Sequence, residues 1–399
     1  MTVGGRVTAP PLSFPGPART PFPFAPGHGR EGTWQTGDKM QDFLIIGGGI
    51  AGISAAARLS HMGSVTLLEV EPHLAHHASG RSAALYEPFY GPGPIVALSK
   101  ASGVYLRDEH GGVLSPRGMM VVAEEGREAA FAADRATMNL TEISVDEALT
   151  HMPILNPAVV RHAAWADHAW DIDTDLLIQN FLREARRNGA LVETSAPVTR
   201  IERTSAGWRV ETAKGPHEGA LLVDAAGAWV GEVAKMAGIA GPRFQPMRRS
   251  MARIPAPGGL DVSHWPMTFG AGETWYSKPD AGALIVSPAE EHPADPHDAW
   301  ADDMVLAEGL SRYEAMVTEP VTRLLTSWAG LRTFSPDRVP VIGRDPIDPA
   351  FFWLGGQGGY GFQSAPAVSR LVADLIAGTE AEGPIDAATV AALSPARFL

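Results

Sequence analysis

The chain has no cysteine in its 399 residues, which excludes disulfides, thiolate nucleophiles, zinc–cysteine sites and iron–sulfur clusters together. It also lacks any apolar run of eighteen residues, the minimum for a membrane-crossing helix. Its N-terminus has no basic stretch followed by an apolar block, the mark of a secretory signal. From these absences we expect a soluble, cytoplasmic protein with no integral membrane segment. Basic residues are in deficit, 32 Lys and Arg against 45 Asp and Glu, for a formal net charge of −13. No Lys/Arg run supplies the concentrated basic face that phosphate backbones require, so nucleic acid is not expected as a partner. Charged residues make up 19% and hydrophobic residues 45%, the balance of a globular protein whose length suits about two domains. No solenoid-period repeat or heptad run is present.

Residues 1–39 hold seven prolines among Gly, Ser and Thr, a composition that cannot bury enough surface to offset its ordering entropy, and a disordered tail is expected there. Met40 opens the structured part and is read as the natural start. From it the pattern changes to Phe43-Leu44-Ile45-Ile46, an apolar run suited to a central parallel strand. A helix is expected over Ala51–Met62 and a strand over Val65–Glu69, which together make one βαβ unit. Asp173 or Thr174 is placed to cap a helix carrying Leu176, Leu177, Phe181 and Leu182 at helical spacing. Near the end, Phe351-Phe352-Trp353-Leu354 reads as a buried strand, five glycines fall within Gly355–Gly361, and a helix is expected over Ala365–Ala377.

Gly47-Gly48-Gly49-Ile50-Ala51-Gly52 fits G-x-G-x-x-G between a strand and a helix. Gly47 permits the tight turn, Gly49 lets the backbone approach a pyrophosphate, and Gly52 lets helix and strand pack closely. The N–H groups of the helix start then face the anion. Glu69, about twenty residues on, stands where a carboxylate accepts from a ribose diol. These features predict a dinucleotide site. The late glycine block at Gly355–Gly361 suits a flavin, whose ring carbonyls need N–H donors far from the adenine. Without cysteine no thioether attachment is possible, so FAD held noncovalently is expected.

Several blocks carry a family resemblance. They are Gly47 to Gly52, Gly80-Arg81-Ser82-Ala83-Ala84, Asp224 to Trp229, Gln245 to Ser250, Trp265-Pro266-Met267, Lys278 to Gly282, Trp328-Ala329-Gly330-Leu331-Arg332 and the terminal glycines. In this order they resemble the D-amino-acid oxidase/glycine oxidase superfamily of FAD enzymes, and within it the bacterial FAD-dependent D-arginine dehydrogenase type. The resemblance implies an α/β fold, with a Rossmann-like FAD-binding domain over residues 40–112, 168–235 and 327–399. A second, α+β substrate domain with a mixed or antiparallel sheet would take residues 113–167 and 236–326. Cofactor contacts are implied for Gly47, Gly49, Ile50, Ala51, Gly52, Glu69, Arg81, Ser82, Ala83, Val198, Ala226, Gly227, Gly358, Gly359, Tyr360, Gly361 and Gln363.

For the substrate, the resemblance implies that Arg332 and Tyr276 hold a carboxylate. Arg249, or its neighbour Arg248, directs a cation into the pocket. Tyr90 belongs to an active-site segment, Gly359 lies close to the substrate amine, and Met267 and Phe269 form an apolar wall. Two departures stand out. Leu85 replaces a histidine of the D-arginine enzymes, and the acidic partner of a substrate guanidinium falls at either Glu109 or His110. A D-amino acid with a neutral or apolar side chain is therefore favoured over D-arginine. His73, His76 and His77 are read as a solvated loop, and no metal is expected. The implied reaction removes a hydride from Cα to flavin N5 and passes the electrons to an unidentified acceptor. An oxygen-using oxidase of glycine, sarcosine or a D-amino acid, an NAD-linked dehydrogenase and a flavin-binding module without turnover are the alternatives.

Overall fold

The structure, a computed structural model, describes residues 40–381 and 383–399. The expected N-terminal tail and the reading of Met40 as the start concern residues outside this range. Among the described residues, no helix is long and apolar enough to cross a membrane.

The run at residues 43–46 lies in the strand Gln41–Ile46, which pairs in parallel with Val65–Leu68 on one side and Gly215–Asp224 on the other. Its side chains alternate between two cores. Phe43 and Ile45 join the packing around the helix Ile50–Leu59, while Leu44 and Ile46 join Trp208, Phe351 and Trp353 on the opposite face. Both faces are covered, which is why the sequence shows a continuous apolar run instead of alternation. The strand Phe351–Gly355 extends the same eight-stranded sheet beside Gly215–Asp224 and divides its residues in the same way.

The helix after the first glycine loop spans Ile50–Leu59 and is rich in alanine, with Ala55, Ala56 and Ala57 buried. Small side chains let it lie close to the sheet. The helix Thr174–Arg187 is capped by Asp173, whose Oδ1 accepts from Leu176 N at 2.9 Å, a contact that stabilises a helix start by about 1 kcal/mol. The late helix runs from Gly361 to Ala377, one turn earlier than the expected Ala365. Glycine composition concealed that turn. Burial of Phe362 and Gln363 outweighs the low helix propensity of Gly361.

A second, nine-stranded sheet is largely antiparallel and carries Gln245–Pro255, Met267–Gly270, Tyr276–Asp280, Ala283–Ser287 and Thr326–Phe334. The segment from residue 327 was expected with the cofactor domain. Instead Thr326–Phe334 pairs antiparallel with Gln245–Arg253 over nine residues and belongs to the second sheet until the chain returns to the first. Arg81 ties this strand to the cofactor side. Its guanidinium donates to Ala329 O at 3.1 Å and Ala299 O at 2.8 Å and pairs with Asp298, while Trp328 Nε1 donates to Arg81 O at 3.1 Å.

Among the described glycines the least room for a side chain is at Gly52, where a Cβ would stand 1.9 Å from Gly47 O, a backbone atom that cannot move aside. Gly52→Ala should therefore cost about 1–3 kcal/mol of stability and empty the adjoining cleft. Visible flavin absorbance per mole of purified protein is expected to fall at least tenfold; retention of the full flavin complement would contradict this account of the turn.

Candidate active site

Two adjoining chambers of about 280 Å³ and 190 Å³ run along the C-terminal ends of the first sheet's parallel strands. Gly49, Ser79, Arg81, Ala225 and Gly227 belong to both, so the space is continuous. Such a crevice outside the strand ends is where open α/β sheets bind ligands.

The outer chamber is lined by Gly47, Gly49, Glu69, Arg81, Val198, Ala226 and Gly227. Gly47 has φ +111°, and a Cβ there would come within 2.4 Å of Ala225 O. No side chain of Gly49 caps the helix Ile50–Leu59, although Ser79 Oγ accepts from Ile50 N at 3.0 Å. Glu69 is buried. Its Oε2 accepts from Gly48 N at 2.5 Å and its Oε1 from Glu71 N at 2.8 Å, which holds the glycine loop in place and leaves the carboxylate on the chamber wall.

The inner chamber takes Ile50, Ala51, Ser82, Ala83, Leu85, Gly358, Gly359, Gly361 and Gln363 from the cofactor side. The two glycine-rich turns meet here. A Cβ on Gly361 would stand 3.3 Å from Ile50 Cγ2, and one on Gly359 would stand 3.0 Å from Arg332 Cζ. The amide Nε2 atoms of Gln357 and Gln363 are buried on this wall without a hydrogen-bond partner. Unmatched donors beside an extended, glycine-walled crevice fit a dinucleotide whose far ring carries carbonyl oxygens. The residues present therefore fit FAD. Gly52 serves packing and lines neither chamber, and Tyr360 lines instead a neighbouring hollow that shares Tyr90, Arg249, Glu273 and Arg332 with the inner one.

Strand register explains the opposite wall. Met247 faces Arg332 across the ladder, so Arg249, two residues on, is Arg332's diagonal neighbour on the same face. Arg248 points to the other face, toward Glu290 and Asp302. Of the two, Arg249 lines the inner chamber and Arg248 does not. Phe269 faces Tyr276, with ring centroids 5.8 Å apart, and Met267 and Met119 are cross-strand partners, so these side chains also share the chamber face.

Arg332 is the distinctive group. Its guanidinium donates no hydrogen bond to any described residue. Burial opposes its charge, but the oxygens of Tyr276, Tyr90 and Glu273 outweigh that and raise its pKa, so it stays cationic. Arg249 is 3% exposed. Its Nε donates to Glu290 O at 2.8 Å, and burial, followed by repulsion from Arg332, lowers its pKa. Two like charges face one cavity, and an anion placed between them would relieve both. Tyr276 is 1% exposed and its hydroxyl has no partner. Tyr90 donates to Glu273 Oε1 at 2.8 Å; burial raises its pKa well above the usual range, so it remains a neutral donor.

Glu109 and His110 do not reach this place. They are exposed in the short turn after the helix Gly93–Asp108 and line neither chamber. Among the three histidines of the early loop, His76 and His77 come together with Glu71, one ligand atom from each within 4.8 Å, and His77 Nε2 lies 2.9 Å from Glu71 Oε1. Sequence reasoning overlooked Glu87, Glu273, Met119, Met251 and Gln357. Glu87 had a signal, since it follows Leu85 by two residues and two-residue spacing keeps side chains on one face. Glu273 had none: it sits in a turn at φ +52°.

Because the Tyr276 hydroxyl is buried and unsatisfied, Tyr276→Phe removes a penalty along with a donor. Its thermal midpoint is expected to match or exceed that of the unmodified protein. A loss above about 1 kcal/mol would mean that the hydroxyl serves the fold.

The family model described as "DAO: FAD dependent oxidoreductase" matches residues 42–375. The glycine oxidase of Bacillus licheniformis is 25% identical over 85% of this chain and 94% of its own length. Among solved structures, glycine oxidase from Geobacillus kaustophilus superposes with a TM-score of 0.76 at 22% identity, covering 90% of this chain and 99% of that one. A reduced L-alpha-glycerophosphate oxidase from Mycoplasma pneumoniae with FAD bound gives 0.74 at 23% identity, covering 85% and 95%.

Proposed function

The chain belongs to the DAO family of FAD-dependent oxidoreductases and its cofactor is FAD; on that premise we propose that it oxidises the Cα–N bond of a small amino acid, with a D-amino acid of apolar side chain as the substrate. The observation that carries this reading is the unpaired Arg332 guanidinium beside the partnerless Tyr276 hydroxyl. Both are donors, both face the inner chamber, and a carboxylate would satisfy both.

FAD held along the crevice would supply the acceptor for the electron pair. What this chain contributes is orientation. Arg332 offers a planar fork to the two carboxylate oxygens and Tyr276 adds a hydroxyl, while Arg249 adds positive potential from the adjacent strand. Met119, Met251, Met267, Phe269 and Leu85 supply apolar surface for a side chain. Glu109 and His110, the expected partners of a guanidinium side chain, stand outside the chamber, and of the two carboxylates that line it Glu273 is engaged by Tyr90 and Glu87 by Phe89 N, so the apolar surface favours an apolar amino acid over D-arginine. The amine must be neutral when the Cα–H bond breaks, so the rate should rise with pH.

The glycine oxidase relatives favour a second reading of the same site, in which glycine or an N-methyl glycine is oxidised with oxygen as the acceptor. An anaerobic panel of D-amino acids, their L-enantiomers and N-methyl glycines tests substrate class by bleaching of the flavin, and peroxide release in air then separates oxidase from dehydrogenase. Failure of every compound to bleach the flavin would end the proposal. With the best substrate, Arg332→Gln is expected to lower kcat/KM by about 30- to 1000-fold, equivalent to about 2–4 kcal/mol, chiefly through KM. Arg332→Lys should recover little of it, because a point charge cannot form the paired contact.

A further inference from the structure

Glu87 is a carboxyl with 1% exposure on the wall of the inner chamber. Its Oε1 accepts from Phe89 N at 2.8 Å and its backbone N–H donates to Gln363 Oε1 at 3.0 Å, so the residue is held from both sides. Its Oε2 has no hydrogen-bond partner and lies 3.4 Å from His168 Nε2. His168 is half-buried and packs edge-on against Phe89, with ring centroids 4.9 Å apart, and its Nε2 lies 3.2 Å from Met138 O. A titratable pair thus leads from the chamber wall to a side chain that meets solvent.

Resting on the amine-oxidation reading above, we propose that Glu87 and His168 form a proton outlet of the inner chamber, with the Glu87 carboxylate taking the proton released by the substrate's ammonium group and His168 delivering it to water. In the first step an N–H bond of the ammonium breaks and an O–H bond forms on Oε2, which leaves a neutral amine and a neutral carboxylic acid. In the second, Oε2 hands that proton to Nε2 of His168 in its Nδ1–H tautomer, the imidazolium so formed loses its Nδ1 proton to water, and proton exchange with solvent returns the ring to that tautomer before the next turnover. No electron is moved in either step, and Glu87 returns to the carboxylate ready for another turnover. Leu85 cannot exchange a proton, and Glu87, two residues on and lining the same chamber, can.

The surroundings agree with this assignment. Burial, partly offset by the Phe89 N–H, pushes the Glu87 carboxyl up to about 8. Burial lowers His168, with Asp167 acting in the opposite direction. The remaining groups nearby are Tyr86, adjoining Glu87 in the chain, and Lys100, whose Nζ lies 4.7 Å from the Phe89 ring centroid. No cation neutralises Glu87 other than His168 when it is protonated.

The test uses the FAD-loaded protein in two arms. In the first, anaerobic flavin reduction by the best amine is followed against pH. The unmodified protein should speed up through about pH 8, and Glu87→Gln should lose that step and run on the order of 100-fold slower at its plateau, with KM little changed and with added imidazole restoring part of the rate. His168→Asn should be slower but keep the step. A Glu87→Gln variant with unchanged rate and profile overturns the outlet, as does a His168→Asn variant reducing flavin at the full rate. The second arm needs no substrate. A carboxyl raised from 4.5 to about 8 gives no differential below both values. As pH rises past the lower one the unfolded chain ionises while the folded chain does not, so stability is lost up to about pH 8. Glu87→Gln escapes this loss, and its melting temperature should gain on the unmodified protein between about pH 5 and 8. A constant difference across that range overturns the proposal. If no amine bleaches the flavin, the function proposed above fails, while the melting arm still reports whether Glu87 holds a proton.

Discussion

The close approach of Gly52 to the Gly47 carbonyl is the constraint on which the rest of the molecule depends. Without a side chain at either position, the helix Ile50–Leu59 can begin immediately at the end of the strand Gln41–Ile46, so its first N–H groups open onto the crevice instead of onto another element. Glu69 then holds the loop through Gly48 N, and Ser79 steadies Ile50 N. A charged ligand is thereby met by fixed backbone dipoles, which need no reorganisation when it arrives. The second glycine turn meets this helix start, a Cβ on Gly361 standing 3.3 Å from Ile50 Cγ2.

The opposing wall follows a different logic. There the ligand-facing groups are long side chains placed by strand register, and an offset of two residues brings Arg249 and Arg332 onto one face. Two guanidinium groups in one cavity repel each other, and the fold tolerates this because Arg249 is partly satisfied by Glu290 O and Arg332 lies among phenolic and carboxylate oxygens. Arg249 is further relieved by Glu291 at 3.4 Å, and perturbed charges gathered on one cavity in this way are a mark of functional sites. The methionines on the same face provide an apolar surface that adapts to shape, which narrows the charge and polarity of the substrate more than its outline.

Much of this was legible in the residues before any coordinates. The first βαβ unit could be read because both faces of its central strand are buried and its turn needs glycine. The capped start at Asp173 was legible for the same kind of local reason. What escaped notice depends on distant parts of the chain. The first turn of the helix at Gly361 looks like loop by propensity and is helical because Phe362 and Gln363 are buried. The strand Thr326–Phe334 looked like a return to the cofactor domain and pairs elsewhere because its partner lies some eighty residues upstream. Glu273 enters the site from a strained turn, which no periodicity marks. Glu109 and His110 were placed by counting along a segment whose helix ends short of the chamber.

The crossing of that strand between the two halves has a mechanical effect. Arg81 grips the main-chain carbonyl of Ala329, and Trp328 grips the main chain of Arg81 in return, so the loop that lines the nucleotide crevice and the ribbon bearing Arg332 are stitched together three residues from that arginine. Neither can drift without dragging the other. The spacing between the nucleotide crevice and the wall that carries Arg332 is therefore set by a short, doubly fastened strut, and heat should loosen both walls in one step rather than in sequence.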